Sequence, residues 1–307
     1  MAVSGGMRPS SNVPRFRPRN VVGLLFVAPA LAFFALYTLY PVLRSLMLSV
    51  TDEQFASSEA VHFAGLDNYV RALQDPMVTG GLMRALWFTV LFYPGVIILP
   101  LLLALVLDRV GNERVGATYR VLLYIPAIIP APLIFALWLW MYGPSTGLVN
   151  QVLVDDLHLL QTRPLWTADP ATAMISVALM EWWWSLGQMT VFFLVGLRSI
   201  PQDLYEAARI DGASESRIVR HITLPLLRPT ILTWALLKVS AFAVVVEMLV
   251  FQGRGDSLQT WARYAWEQGL SFGLLNVSYA SAIGWIGAGS MVVIVIVLYR
   301  VLRSDPH

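Results

Sequence analysis

Apolar residues gather along the chain in six long blocks: Val21 to Leu43, Ala85 to Leu107, Val121 to Tyr142, Ala171 to Leu197, Ile231 to Phe251 and Val277 to Leu302. The segments between them are rich in Gly, Pro, Asp and Asn. A helix crosses a bilayer with about 20 mostly apolar residues, so each block is long enough for one crossing. The pattern predicts an all-α, polytopic membrane protein with six transmembrane helices. The first block has a basic start and a stretch, Ala28-Pro29-Ala30-Leu31-Ala32, that resembles a leader cleavage site. Its apolar run nevertheless continues to Leu43, beyond the roughly 7–15 residues of a signal core, and reads as a span.

Composition strengthens this picture. The 307 residues are 57% hydrophobic and 13% charged, whereas a soluble domain carries about 25% charged residues. Too little polar surface exists to cover a water-exposed globule. A formal charge of +2 gives no reason to expect nucleic acid as a partner. The absence of cysteine excludes disulfides, thiolate metal sites and cysteine catalysis. Among 21 basic residues the one lysine, Lys238, falls inside an apolar block.

The placement of arginine predicts orientation, because cytoplasmic loops carry the excess of basic residues. The N-terminal tail, the second and fourth loops and the C-terminal end hold fourteen arginines; the alternate loops hold four. Both termini are therefore expected in the cytoplasm, as an even number of spans requires. The whole chain, 1–307, reads as one transmembrane domain. Residues 1–20 form a cytoplasmic tail and 80–300 the core helices, with the first helix and its following loop added to a core of five.

The fourth loop, 198–228, carries the most information. Pro201 suits the first turn of a short helix, and Asp203 and Glu206 put negative charge in its early turns. Asp211-Gly212 signals a tight turn in which Gly takes positive φ. Ser214 is placed to cap a second short helix, and Pro225 and Pro229 are expected to stop it before the next span. A structured, mixed-charge element between membrane helices suggests docking on a cytoplasmic partner.

Glu206-Ala207-Ala208, then Asp211-Gly212-Ala213, then Ile222 and Leu224-Pro225 resemble the EAA loop of ABC-importer permeases. Weaker matches follow in the same order as in the sugar-type members. They are Tyr40-Pro41 with Ser49, Phe63 to Tyr69, Tyr119-Arg120 with Pro126 and Pro130, and Tyr279 to Ala282. The resemblance implies a type I ABC importer permease architecture. It makes Glu206, Ala207, Ala208, Asp211, Gly212, Ala213, Leu224 and Pro225 a coupling element seated in a cleft of the ATPase. Its implied partners are a second permease, usually a different chain, an ATPase dimer and an extracytoplasmic binding protein that delivers a small-molecule solute. The chain itself would hold no cofactor, ATP and Mg being bound by the ATPase. The expected location is the inner membrane of a bacterial or archaeal cell. Aromatic residues often stand in the family where this chain has Ser216 and Val219, which implies a smaller or differently shaped contact.

No G-x-x-x-x-G-K-[ST] loop is present, and the four histidines have no metal-ligand spacing. Charged residues inside spans are costly and usually face a cavity or one another. Glu181, Lys238 and Glu247 are therefore candidates for a substrate path, together with Trp182, Trp184 and Gln188. Counting along the blocks puts Glu181 and Lys238 at similar depth, so that they pair or face the path together; alternatively Lys238 reaches back to the headgroups. Indole rings suit sugar faces, though packing explains them equally well. Trp138, Trp140 and Tyr142 read as an interfacial belt. Pro126, Pro130 and Pro132 are expected to kink the third span, and Gly284, Gly287 and Gly289 to let helices approach. The sparse charged set offers little to a membrane-embedded enzyme, and a carrier acting alone would not need the fourth loop.

Overall fold

The computed structural model describes residues 18–54, 60–110, 112–243, 251, 257–270 and 275–302. It divides into two units, residues 1–47 and 48–307. In the first unit, α1 (Pro18–Phe34) passes through a π-helical turn, Ala35–Leu39, into α2 (Tyr40–Ser49), whose last two residues belong to the second unit. The described side chains from Leu25 to Leu43 are exposed all round, as expected of a helix whose solvent is lipid.

The second unit continues with α3 (Asp67–Gln74), α4 (Pro76–Tyr93), a π turn (Pro94–Ile98) and α5 (Leu99–Asp108). Then come α6 (Glu113–Ile128), α7 (Ala131–Met141), α8 (Leu148–Asn150), a π turn (Gln151–Asp156) and the long α9 (Ala173–Arg198). The fourth loop holds α10 (Gln202–Ile210) and α11 (Glu215–Ile218). It runs through a π turn (Val219–Thr223) into α12 (Leu224–Leu237) and a 3₁₀ segment, Lys238–Ala243. The last described helices are α13 (Trp261–Leu270) and α14 (Val277–Leu302).

Three of the π turns share one cause. The residue just before Pro41, Pro100 and Pro225 donates its N–H five residues back: Tyr40 to Ala35, Leu99 to Pro94 and Leu224 to Val219. Proline cannot donate, and its ring collides with the carbonyl four residues earlier. One extra residue in the turn widens it and lets the helix continue. Pro225 and Pro229 therefore do not stop the short helix of the fourth loop. Pro225 is absorbed by the widened turn, Pro229 lies inside α12, and the helical path from Glu215 to Ala243 runs on over 29 residues.

Among the described residues, four helices are long and apolar enough to cross a membrane: Leu25–Ser49, Pro76–Asp108, Glu215–Ala243 and Val277–Leu302. A fifth is added if α6 and α7 form one span, bent by 94° at their junction. The expected continuous third span is thus broken rather than kinked. Ile129 precedes Pro130 and takes extended geometry (ψ 129°), because the proline ring disfavours the helical region for its neighbour; Pro130 then opens α7. α9 has 26 residues, enough to span, but Glu181, Trp182-Trp183-Trp184 and Gln188 make it less apolar than those four.

Packing is close where glycine or a covered carbonyl permits it. A Cβ on Gly187 of α9 would fall 1.8 Å from the Leu123 carbonyl oxygen of α6, and one on Gly287 would enter the Trp261 ring. Gly284 and Gly289 meet nothing within 4 Å, so of the three glycines expected to admit a neighbour only Gly287 does. Tyr142 is buried and donates to the Ser176 carbonyl, and Trp138 is buried beside it; of the expected aromatic belt only Trp140 is exposed.

A polar knot ties the two ends of the second unit. Asp75 Oδ1 accepts from the Met77 N–H and so caps α4, while Oδ2 accepts from Tyr264 (3.0 Å) and Tyr279 (2.7 Å). The Arg71 guanidinium lies 4.3 Å over the Tyr279 ring. Burial pushes the Asp75 carboxyl up, but the hydrogen bonds from Tyr279, Met77 and Tyr264 and the Arg71 charge outweigh it and hold the group below its ordinary value. α3, α4, α13 and α14 meet at this one carboxylate.

Candidate functional site

The fourth loop leaves α9 at Ser199, whose hydroxyl donates to the Gly196 carbonyl, and turns at Pro201 into α10. α10 ends in a Schellman arrangement. Gly212 N–H donates to the Arg209 carbonyl, Ala213 N–H donates to the Ala208 carbonyl, and Gly212 sits at φ +74°. Both bonds satisfy carbonyls that a helix end would otherwise orphan, and only glycine reaches that φ without strain. This explains the spacing of the motif physically: Ala208, Gly212 and Ala213 are the parts of one helix stop. Ser214 holds the N-cap position of α11, but its side chain makes no capping bond and lies 3.3 Å from the Ser216 hydroxyl.

Glu215 fixes the elbow. Its carboxylate meets Arg109, at the end of α5, at 2.9 Å and Arg209 of α10 at 3.4 Å. These groups are half exposed, so each pair contributes less than about 1 kcal/mol and serves mainly to orient. Tyr205 adds a hydroxyl contact with Thr223 at 3.3 Å. A small polar cavity of about 80 Å³ lies among Asp108, Arg109, Tyr205, Arg209 and Glu215. No residue of α10 is buried. Glu206 and Ala207 are exposed, Ala208 is half-buried, and Leu204 and Ile210 show 43% and 86% of their surfaces. Asp211 and Gly212 are exposed at the tip, Ala213 is half-buried, and Leu224 and Pro225, both half-buried, open α12 directly after the π turn.

The substrate-path candidates separate. Trp182 packs its ring on Gly95, where a Cβ would come within 2.0 Å, and donates its indole N–H to the Phe92 carbonyl at 3.0 Å. Trp184 meets Phe135 edge-on at 6.1 Å between centroids. Both are packing residues of the α4–α7–α9 core. Glu181 is half-buried on α9, and Glu247 lies outside the described residues. Gln188 is exposed on α9, and Lys238 is half-buried where α12 tightens into its 3₁₀ end.

Among the described residues no ion pair joins Glu181 to Lys238. The register explains why. A Cβ on Gly196 would touch Thr230, and Phe192 meets Trp234 edge-on at 4.6 Å, so α9 and α12 run antiparallel in steps of four. Continued at that step, the register would bring Gln188, not Glu181, towards the level of Lys238. Glu181 lies seven residues beyond Gln188, roughly 10 Å away along the helix axis at 1.5 Å per residue. Depth counted from the edges of apolar blocks misses this, because α12 begins inside the fourth loop rather than at the block edge.

Residues 78–304 match the family model of binding-protein-dependent transport system inner membrane components. The chain belongs to this family. A probable ABC transporter permease protein of Pyrococcus horikoshii is 31% identical over 86% of this chain and 89% of its own length. The arabinooligosaccharides transport system permease protein of Bacillus subtilis is 31% identical over 88% and 84%. In fold, the chain is similar to a chain of a bacterial ABC transporter involved in the import of the acidic polysaccharide alginate, with a TM-score of 0.78, 22% identity and coverage of 93% and 96%.

The chain is therefore a permease subunit of an ABC importer, and the whole fourth loop lies within the region shared by these inner membrane components. The elements that sequence reasoning missed in this permease are the Asp75–Tyr264–Tyr279 knot and the Arg109–Glu215–Arg209 bracket. Both join residues distant in sequence, and no local pattern announces them.

Proposed function

We propose that this permease forms half of an ATP-driven path for a sugar or a related polyhydroxylated solute, and that the elbow from Glu206 to Pro225 receives the push of a separate ATPase. The reading has six spans, with α9 and the bent α6–α7 pair each crossing once, both termini in the cytoplasm, and the elbow on that side. A second permease completes the path, a binding protein delivers the solute from outside, and ATP and Mg stay on the ATPase dimer. The sugar assignment rests on the arabinooligosaccharide relative.

One observation carries the mechanism: α10 is a helix with a rigid end and no buried face of its own. Its Schellman stop and the Glu215 bracket hold it at a fixed angle to α5 and α12. Leu204, Ala207 and Ile210 recur at steps of three along α10 and remain available to a partner. A force applied to such an element passes directly into α12, because the π turn keeps the helix continuous past Pro225.

The test is co-expression with a candidate ATPase and a candidate second permease. The expected result is co-purification and solute-stimulated ATP hydrolysis, with stimulation lost in Glu206→Ala or Ile210→Asp while the protein still inserts and folds. Transport that persists with no ATPase attached overturns the reading.

A further inference from the structure

Five charged side chains of alternating sign run across the ends of four helices. Arg198, the last residue of α9, meets Asp108, the last residue of α5, at 3.9 Å. Arg109 follows Asp108 and meets Oε2 of Glu215, the first residue of α11, at 2.9 Å. Oε1 of the same carboxylate meets Arg209 of α10 at 3.4 Å. Glu215 is therefore the point where the row crosses from α5 to the elbow, with one arginine at each oxygen.

The helices beneath are held differently. Leu101 and Ala104 of α5, Phe193 and Leu197 of α9 and Leu227 of α12 pack in one apolar core. That core makes α5, α9 and α12 a block without help from charge. No residue of α10 is buried. Among the described residues, two side-chain ties join α10 to the block. Tyr205 packs on the core and touches the Thr223 hydroxyl, and Arg209 reaches Arg109 through Glu215. The polar cavity of about 80 Å³ lies between α10 and the ends of α5 and α9, so close packing does not set the spacing there. One tie leaves a rod free to pivot; a second fixes its direction.

We propose that Glu215 is a positioning residue for coupling. Its two arginines set the angle of α10 across the cavity, so that a push received by α10 moves α5 and α9 together with α12. The proposal rests on the importer reading and adds a second route to the one through the π turn. The negative charge of Glu215 does this work, not its bulk. A direct contact of Glu215 with the ATPase is the competing role, and it would need no Arg109.

The natural absence of cysteine allows a direct test. Asp203→Cys on α10 and Leu102→Cys on α5, both at exposed positions, carry spin labels in a complex with cysteine-free partner subunits in nanodiscs. Gln202→Cys replaces Asp203→Cys if the latter does not assemble. The distance distribution between the labels is measured without nucleotide and with ATP and vanadate. In the otherwise wild-type chain it is expected to be narrow and the same in both states. Glu215→Gln and Arg109→Gln are each expected to raise the share of displaced α10 orientations by up to about five-fold, and the double variant to add nothing further. Near 1 M salt, where the screening length is about 3 Å, the wild-type distribution is expected to broaden towards that of Glu215→Gln. An unchanged distribution in Glu215→Gln overturns the proposal, whether or not the unfolding temperature falls. So does a double variant in which the two effects add, the result a direct ATPase contact predicts. A wild-type chain that associates with no ATPase sinks the importer reading instead, a result visible before any label is attached.

Discussion

The phenolic hydroxyl of Tyr279 donates to Asp75 Oδ2 at 2.7 Å across 204 residues of chain. The same oxygen accepts from Tyr264, and the other oxygen caps α4. A single carboxylate thus closes the ring of helices that begins at α3 and ends at α14. Hydrogen bonds to a charged acceptor contribute about 1.5–3 kcal/mol each when the partner is buried. Tyr279→Phe is expected to lower stability by an amount in that range, read as a fall in the unfolding temperature of the purified complex. Tyr264→Phe, with its longer bond, is expected to cost less.

The same site sets a pH window. Asp75 is held below its ordinary value of 3.8 in the folded protein. A depressed carboxylate contributes stability that is fully present above the unfolded value and is lost as pH falls through the folded one. The wild-type protein is expected to lose this increment below about pH 4. Asp75→Asn removes the charge and flattens that part of the stability profile, which thermal scans at stepped pH will record.

Gly212 meets nothing within 4 Å, so a side chain there has room; what it lacks is the conformation, φ +74°. Gly212→Ala is expected to destabilise the α10 stop by about 1–2 kcal/mol. The bulk unfolding temperature should change little. Coupled ATP hydrolysis should fall more, because the strain releases the angle of the exposed helix. Equal loss in both measurements counts against a role in coupling.

Gly95 presents the opposite case. Gly95→Ala would drive a methyl group into the Trp182 ring, while Gly289→Ala meets open space. The first is expected to cost about 1–3 kcal/mol by overpacking. The second is expected to stay within about 0.5 kcal/mol. Detergent-solubilised variants compared by unfolding temperature will separate them.

The helical character, the apolar blocks and the glycine turn at Gly212 were legible because each depends on a few consecutive residues. Gly212 in particular is required by local backbone geometry, and a local signal sufficed. Three things were not legible. Pro225 read as a stop because the sequence does not reveal that a widened turn will absorb it. The third block read as one span because apolar content says nothing of the extended geometry that Pro130 imposes on Ile129. Glu181 and Lys238 read as level because depth depends on which residues of α9 and α12 touch. That information lies in Gly196, Thr230, Phe192 and Trp234 together. Trp182, taken for a sugar platform or a packing residue on equal terms, packs on Gly95, far from it in sequence.

The widened turns before Pro41, Pro100 and Pro225 have an effect on everything beyond them. One surplus residue rotates the rest of a helix by about 100° about its own axis. The stripe that faces a neighbour ahead of Pro225 is therefore not the stripe that faces it afterwards, and Trp234 owes its aim at Phe192 of α9 to that offset. Removing a single residue from Val219–Thr223 would swing that indole away while leaving composition, length and hydropathy almost untouched.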